Sequence, residues 1–415
     1  MRNRQVADSA GKLDMEYSKT MVNSSEYYSE YHGHLSSDNE KVFEHFMAMK
    51  RQKKLDGLIY LAGDSSLDNK FWFKNTAKAC NGLEEILSPP ISVKDIAYWL
   101  NKLEESSVGS KGSDARRYAT INCAVEESTI GDRSWSRLLS QDRFIKDHIT
   151  SDDTLVVSIG GNDIALRPSP CTIMNMLCLA KCTPHWLLNK CACGTALPCD
   201  DRCFGCTTSC LSDLFAWPFG IGYFIHLFKT RIQTYIENLI SSPSFLSSCG
   251  LSSPPPPRVK RVLVCMIYYP DETSNNSWAD GTLGALGYNH NPAQLQLLIR
   301  KIFLLATRSI SIPGVDVVAV PLFAALDGQN TTDYSQRVEP SATGGMKMAQ
   351  LILQAVHDRS TTSQAMSEAY EAHEKQLLLK NSNHCAAMRC STASSSIADI
   401  RNVTPVVQEP LIDRE

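Results

Sequence analysis

The sequence predicts an α/β fold of three layers, with a parallel sheet of about five strands between helices. Two observations carry this expectation. Five short runs are β-branched and apolar on both faces, as strands of a covered parallel sheet are. Longer segments with apolar residues at helical spacing lie between them, so strands alternate with helices as in βαβ units.

The runs are GLIYLA (Gly57 to Ala62), YATINCA (Tyr118 to Ala124), TLVVSI (Thr154 to Ile159), VKRVLVCMI (Val259 to Ile267) and VDVVAVPLF (Val315 to Phe323). Helical patterns cover Val93 to Glu105, Ser134 to His148, Tyr223 to Leu239, Pro292 to Thr307 and Gly345 to His357. Right-handed crossovers then leave few topologies. Residues 1–50 are polar and Ser-rich and read as a mobile N-terminal arm, and 51–358 read as the α/β domain. Residues 166–217 interrupt the alternation as a cysteine-rich insert, and SSCGLSSPPPPR before the fourth strand reads as a linker. Residues 359–415 read as a polar helix followed by a disordered tail.

Composition narrows the function. With 43 % hydrophobic and 20 % charged residues, most of the 415-residue chain can bury a core. The 41 basic and 44 acidic residues leave a net charge of -3, which argues against nucleic acid or an anionic membrane as the main partner. The first residues lack an apolar stretch after their basic ones, and Leu214 to Phe228 is broken by Pro218, Gly220 and Gly222. The expectation is therefore a cytoplasmic protein with neither a secretory signal nor a membrane span, which needs ~20 apolar residues. The expected partner is a small molecule, and no protein partner is named by the sequence.

In a doubly wound sheet, ligands collect at the carboxyl ends of the strands. The segments found there are Gly63-Asp64-Ser65-Ser66, Asn122-Cys123-Ala124-Val125-Glu126-Glu127-Ser128-Thr129, Gly160-Gly161-Asn162-Asp163 and Arg337-Val338-Glu339-Pro340-Ser341. This set resembles the four blocks of the SGNH (GDSL-type) hydrolase superfamily, over about Gly57 to Ala349 without the insert. The resemblance implies flavodoxin-like strand order and an esterase or acylhydrolase activity on an ester or related acyl bond. It implies Ser65 as nucleophile and Asn162 as oxyanion donor, with Gly161 beside it. Glu127 stands nearest the position of the family's glycine, whose N–H is a further donor.

The last block departs from the family. Gln336 and Glu339 occupy the positions of the family's Asp and of the His that deprotonates the serine. A serine needs an adjacent base at neutral pH, and a solvated carboxylate near pKa ~4.3 is a poor one unless burial raises it. Three readings stay open here: Glu339 as base, His290 as base, or a catalytically weak or inactive protein that binds through this fold and its cysteine-rich insert. A carboxylate or imidazole within ~3.2 Å of Ser65 Oγ favours turnover, with looser geometry allowed without substrate. Bland readings stand beside these. Ser65, Asn162 and Asp163 are good helix-capping types. Glu339 suits a helix N-terminus, and Phe71, Trp72 and Phe73 suit either packing or an acyl pocket. Arg337 suits pairing with either a carboxylate or a substrate.

Of the 15 cysteines, nine fall between Cys171 and Cys210. Cys199, Cys203, Cys206 and Cys210 have the count and approximate spacing for one structural zinc, with Cys191, Cys193 and His185 as further ligands. Disulfides and free thiols are the other uses open to them. No catalytic cofactor is expected.

Overall fold

Five parallel strands build the central sheet: β1 (Gly57–Gly63), β2 (Tyr118–Asn122), β3 (Thr154–Ser158), β4 (Arg261–Met266) and β5 (Asp316–Pro321), in the order β2–β1–β3–β4–β5. This is the doubly wound order, and it reverses between β1 and β3. All five expected strands are present; β1 runs one residue further than expected, to Gly63, and the other four are shorter by one or two residues at individual ends. The computed structural model describes residues 21–72, 74–107, 116–197, 209, 211–241, 257–274, 276–358, 360 and 364–377.

The helices are α1 (Ser36–Arg51), α2 (Ile96–Ser107), α3 (Ser140–His148), α4 (Pro170–Leu177), α5 (221–240), α6 (Asp280–Ala285), α7 (Pro292–Leu305) and α8 (Ala342–His357). α2 and α8 pack together and contact the sheet, while α3 packs on α5 and α5 meets α7. The first pair and the second set take the two faces that right-handed crossovers dictate for this strand order. β1 and β3 are buried along their whole length, as strands covered on both faces must be.

Several boundaries differ from periodicity for local reasons. α2 starts at Ile96 because Ile91–Val93 pairs with Thr76–Lys78 as a small antiparallel ribbon. The Asp95 carboxylate then accepts the Tyr98 N–H at 2.7 Å and caps the helix. α3 starts at Ser140 because residues 131–136 form a tighter 3₁₀ turn. That turn places Arg133 against Asp142 at 2.9 Å, both side chains fully buried.

The N-terminal arm is corrected over its described part. Asn23 caps a helix over Ser24–Ser29, Val22 pairs with Leu87, and α1 follows. Tyr27 OH donates to Asn39 Oδ1, and Asn39 Nδ2 donates to the Asn122 carbonyl at the end of β2. These anchors are distant in sequence, so local polarity hides them. Residues 1–20 lie outside the described residues.

By internal contacts the chain divides into units Met1–Met366 and Ser367–Glu415. In the second, residues 367–377 are helical, as the polar helix requires, and the expected tail lies outside the described residues. No helix among the described residues is long and apolar enough to cross a membrane. In the insert, α4 and a helix over His185–Cys191 are described. Cys199, Cys203, Cys206 and Cys210 lie outside the described residues. Among the described residues, no group of three or more His, Cys, Asp or Glu could hold a metal.

The end of β1 depends on a glycine. Gly63 has φ +135°, and a Cβ there would stand 1.7 Å from the Ser158 carbonyl oxygen of β3. Gly63→Ala is expected to destabilise the fold by more than ~1 kcal/mol, read as a lowered denaturation midpoint. A midpoint unchanged from wild type would show that the β1–β3 contact tolerates the methyl.

Candidate active site

The reversal of strand order opens a crevice between the ends of β1 and β3, and the four sequence blocks meet there. Buried carboxylates hold them. Asp64 accepts the Ser66 N–H at 3.1 Å and the Ser66 hydroxyl at 2.7 Å, and its other oxygen accepts the Gly160 N–H at 3.1 Å. Asp163 accepts the Ile130 and Gly131 N–H groups at 2.8 and 3.2 Å. Asp68 accepts the Glu126 N–H at 3.0 Å and pairs with the buried Lys70 ammonium at 2.6 Å. Asn69 Nδ2 reaches the Pro340 carbonyl at 3.3 Å, tying the first block to the last. Asp163 therefore holds a neighbouring loop rather than capping its own short helix, Asn162–Ala165.

Ser65 follows β1 in a single turn closed by Leu67 and Asp68 N–H groups on the Asp64 carbonyl. Its hydroxyl donates to Glu339 Oε1 at 3.4 Å, a long contact across 274 positions of sequence. The Ser65 N–H has no hydrogen-bond acceptor among the described residues. Asn162 Nδ2 donates to the Ser128 carbonyl at 3.1 Å, which fixes the amide and leaves its second N–H. Glu127 has φ +59°, the left-handed region that glycine enters most easily. Its side chain turns to the Tyr31 hydroxyl at 2.9 Å, and it does not line the cavity beside Ser65.

Glu339 sits at the start of the returning strand of a hairpin, Tyr334–Gln336 paired with Glu339–Pro340. Arg337 at the tip is fully buried and donates to Asp280 and Asn289, both at 2.9 Å, and to the Asp271 carbonyl at 3.1 Å. The structure thus gives this arginine to a carboxylate. Gln336 makes no side-chain hydrogen bond among the described residues, so it does not reproduce the orienting role of the family's Asp. His290 is exposed in the turn before α7 and is not among the residues lining the cavity. Phe71 is exposed, Trp72 donates to Glu126, and neither lines the cavity; Phe73 lies outside the described residues.

Buried carboxyl groups gather near the serine. Burial pushes the Glu339 carboxyl well above its ordinary range, and the nearby Glu126 and Asp64 charges push the same way. Burial likewise drives Glu126 up to about 9, with Asp68 adding to it. Glu126 Oε2 and Glu339 Oε2 are both buried without a hydrogen-bond partner. Glu126 is the site residue that sequence reasoning missed. Its only local signal is adjacency to Glu127, and only folding brings it near Glu339.

Ser65, Gly161, Asn162 and Glu339 line one cavity of about 110 Å³. Beyond them its wall is mostly aliphatic and aromatic, with Asp64, Ser66 and Thr282 as further polar residues and Met176 of the insert helix α4 and Phe224 of α5 among the lining residues. The insert therefore borders the cleft, as its place after GGND implies.

No family model matches the chain, and no curated protein matches it. Among solved structures, an acetylxylan esterase from Geobacillus stearothermophilus aligns over 72 % of this chain and 94 % of its own, at 12 % identity and a TM-score of 0.31. A carbohydrate acetylesterase from Sinorhizobium meliloti aligns over 72 % of this chain and 98 % of its own, at 14 % identity and a TM-score of 0.32.

The raised carboxyl groups set a direction for stability. A carboxyl whose folded pKa exceeds its unfolded value holds its proton longer when folded, so stability falls as pH rises between the two. For Glu126 that window runs from ~4.3 in the unfolded chain to about 9 in the fold. Glu126→Gln removes this loss. Its stability relative to wild type is expected to rise by at least ~1 kcal/mol between pH 5 and pH 8.5, measured by denaturant titration. A difference that stays constant over this range would mean that Glu126 titrates as an ordinary surface carboxylate.

Proposed function

We propose that this chain is a serine hydrolase of the SGNH type, cleaving a carboxylic ester through an acyl-enzyme on Ser65. The observation that carries the reading is the Ser65 hydroxyl pointed at the buried Glu339 carboxylate, at one end of a cavity that also holds the Asn162 amide. The 3.4 Å separation is slightly longer than a working hydrogen bond, as is common before substrate tightens a site.

In this reading Ser65 Oγ attacks the ester carbonyl carbon while Glu339 Oε1 takes its proton. The oxygen that becomes negative is met by the Ser65 N–H and the second N–H of the Asn162 amide, which its bond to Ser128 holds in place. The Glu127 N–H, on a backbone turned into the glycine region, suits the third position. Collapse of the tetrahedral species breaks the bond to the alcohol, which leaves with the proton held by Glu339. Water then attacks the acyl-enzyme, Glu339 takes its proton, and collapse breaks the bond to Ser65 Oγ, which receives that proton as the acid departs. A carboxylate ordinarily too weak for this work becomes a stronger base when its pKa is raised, but only above the pH at which it loses its proton.

A fluorophosphonate probe is expected to label the wild-type chain and not Ser65→Ala, seen by mass spectrometry of the modified peptide. Absence of labelling alongside a reactive control hydrolase would refute the assignment and favour a protein that only binds. Glu339→Gln is expected to lower kcat/KM by ~10²–10⁴. Wild-type activity should rise with pH through an alkaline-shifted limb, because Glu339 must be ionised to accept the proton. Glu126→Gln should move that limb to lower pH, since it removes a like charge. A limb that stays in place would separate Glu126 from the reaction.

A further inference from the structure

Resting on the ester-hydrolase reading, we infer that the cavity beside Ser65 takes an aliphatic acyl chain of roughly eight carbons, which makes the substrate an ester of a medium-chain carboxylic acid. The argument starts on one helix. Leu295, Leu298, Ile299 and Ile302 recur at helical spacing on α7, and all four line the cavity. Leu283 of α6 and Leu286 just after it extend the wall. A helix face of this kind is normally spent on packing against a neighbour. Here part of it borders open space.

Helix rise and cavity volume both allow a chain of this size. From Leu295 to Ile302 the helix rises about 10 Å, close to an extended chain of roughly eight carbons. The cavity volume of about 110 Å³ is several times the minimum that holds a single water. An acetyl group would fill only a small fraction of it.

The wall is also chemically one-sided. Ser65, Asn162, Thr282 and Glu339 are among its few polar residues, and Asp64, Ser66 and Tyr268 are already engaged. Tyr268 OH donates to the Val338 carbonyl at 2.7 Å, and Asp64 is occupied by Ser66 and Gly160. A sugar or charged acyl group would leave its own polar atoms unpaired against leucine and isoleucine, which is costly. An alkyl chain loses nothing there. The chain belongs to the acyl part because that part stays on Ser65 through both half-reactions and gains from enclosure, whereas the alcohol has to leave. Trp278 lines the cavity and is also exposed to solvent.

The test uses p-nitrophenyl esters from C2 to C16 on the full chain, with alkyl acetates carrying the chain on the alcohol side. The expected result is a kcat/KM maximum at C6–C10, at least tenfold above C2, and no matching gain along the alkyl acetates. Leu295→Trp, at a half-buried position that should tolerate folding, is expected to move the maximum to C4 or shorter. Best hydrolysis of C2, or a chain preference on the alcohol side, overturns the inference while the hydrolase reading stands. If no ester is cleaved and Ser65 is not labelled, the hydrolase reading fails separately. The pocket is then judged by calorimetry with methyl ketones of C4 to C10. Affinity rising about fourfold per methylene and lost in Leu295→Trp supports it, and affinity independent of length overturns it.

Discussion

Three buried aspartates accepting backbone N–H bonds are the constraint on which the site depends. Asp64 joins the β1 loop to the β3 loop, Asp163 joins the β3 loop to residues 130–131, and Asp68 joins the β1 loop to Glu126. Each bond satisfies a donor that would otherwise be buried unpaired, and each carboxylate depends on those donors to stay buried. The loops therefore hold one another, and the serine hydroxyl is positioned by its neighbours' carboxylates more than by its own short turn. Loss of any one aspartate would leave several donors unsatisfied together, which is why such networks rigidify a site when complete.

The same burial that organises these loops creates the electrostatic character of the pocket. Glu339 and Glu126 are both pushed toward the neutral form, and neither has a cation paired with it as Asp68 has Lys70. A histidine base carries its proton as a cation and welcomes a nearby carboxylate. A glutamate base becomes neutral on protonation and is strengthened by nearby negative charge. A glutamate in the base position would therefore need like charge and low dielectric around it where a histidine needs an orienting carboxylate. Gln336, uncharged and without a side-chain hydrogen bond among the described residues, is consistent with that change.

The hairpin carrying Glu339 owes its position to Arg337, whose guanidinium is spread over Asp280, Asn289 and two backbone carbonyls. Asp280 opens α6, whose Leu283 lines the cavity, so one buried arginine fixes both the Glu339 hairpin and part of the apolar wall. Chemical and recognition parts of the site are thereby built on shared supports, and neither can shift far without the other.

The sequence by itself determined the sheet, because strand and helix signals are local: β-branched runs and helical periodicity are properties of a few adjacent residues. It also determined where Ser65, Asn162 and Glu339 would fall, since motifs at strand ends share one edge of a parallel sheet. Helix starts at Ile96 and Ser140, the docking of residues 21–50, the choice of Asp280 for Arg337, and the part played by Glu126 were decided only by tertiary structure. So was the exclusion of His290, Phe71 and Trp72 from the cavity. These depend on contacts between segments up to hundreds of residues apart, and on which side chains lose water together. A burial-shifted carboxylate is invisible in a string of letters because its charge state belongs to its surroundings.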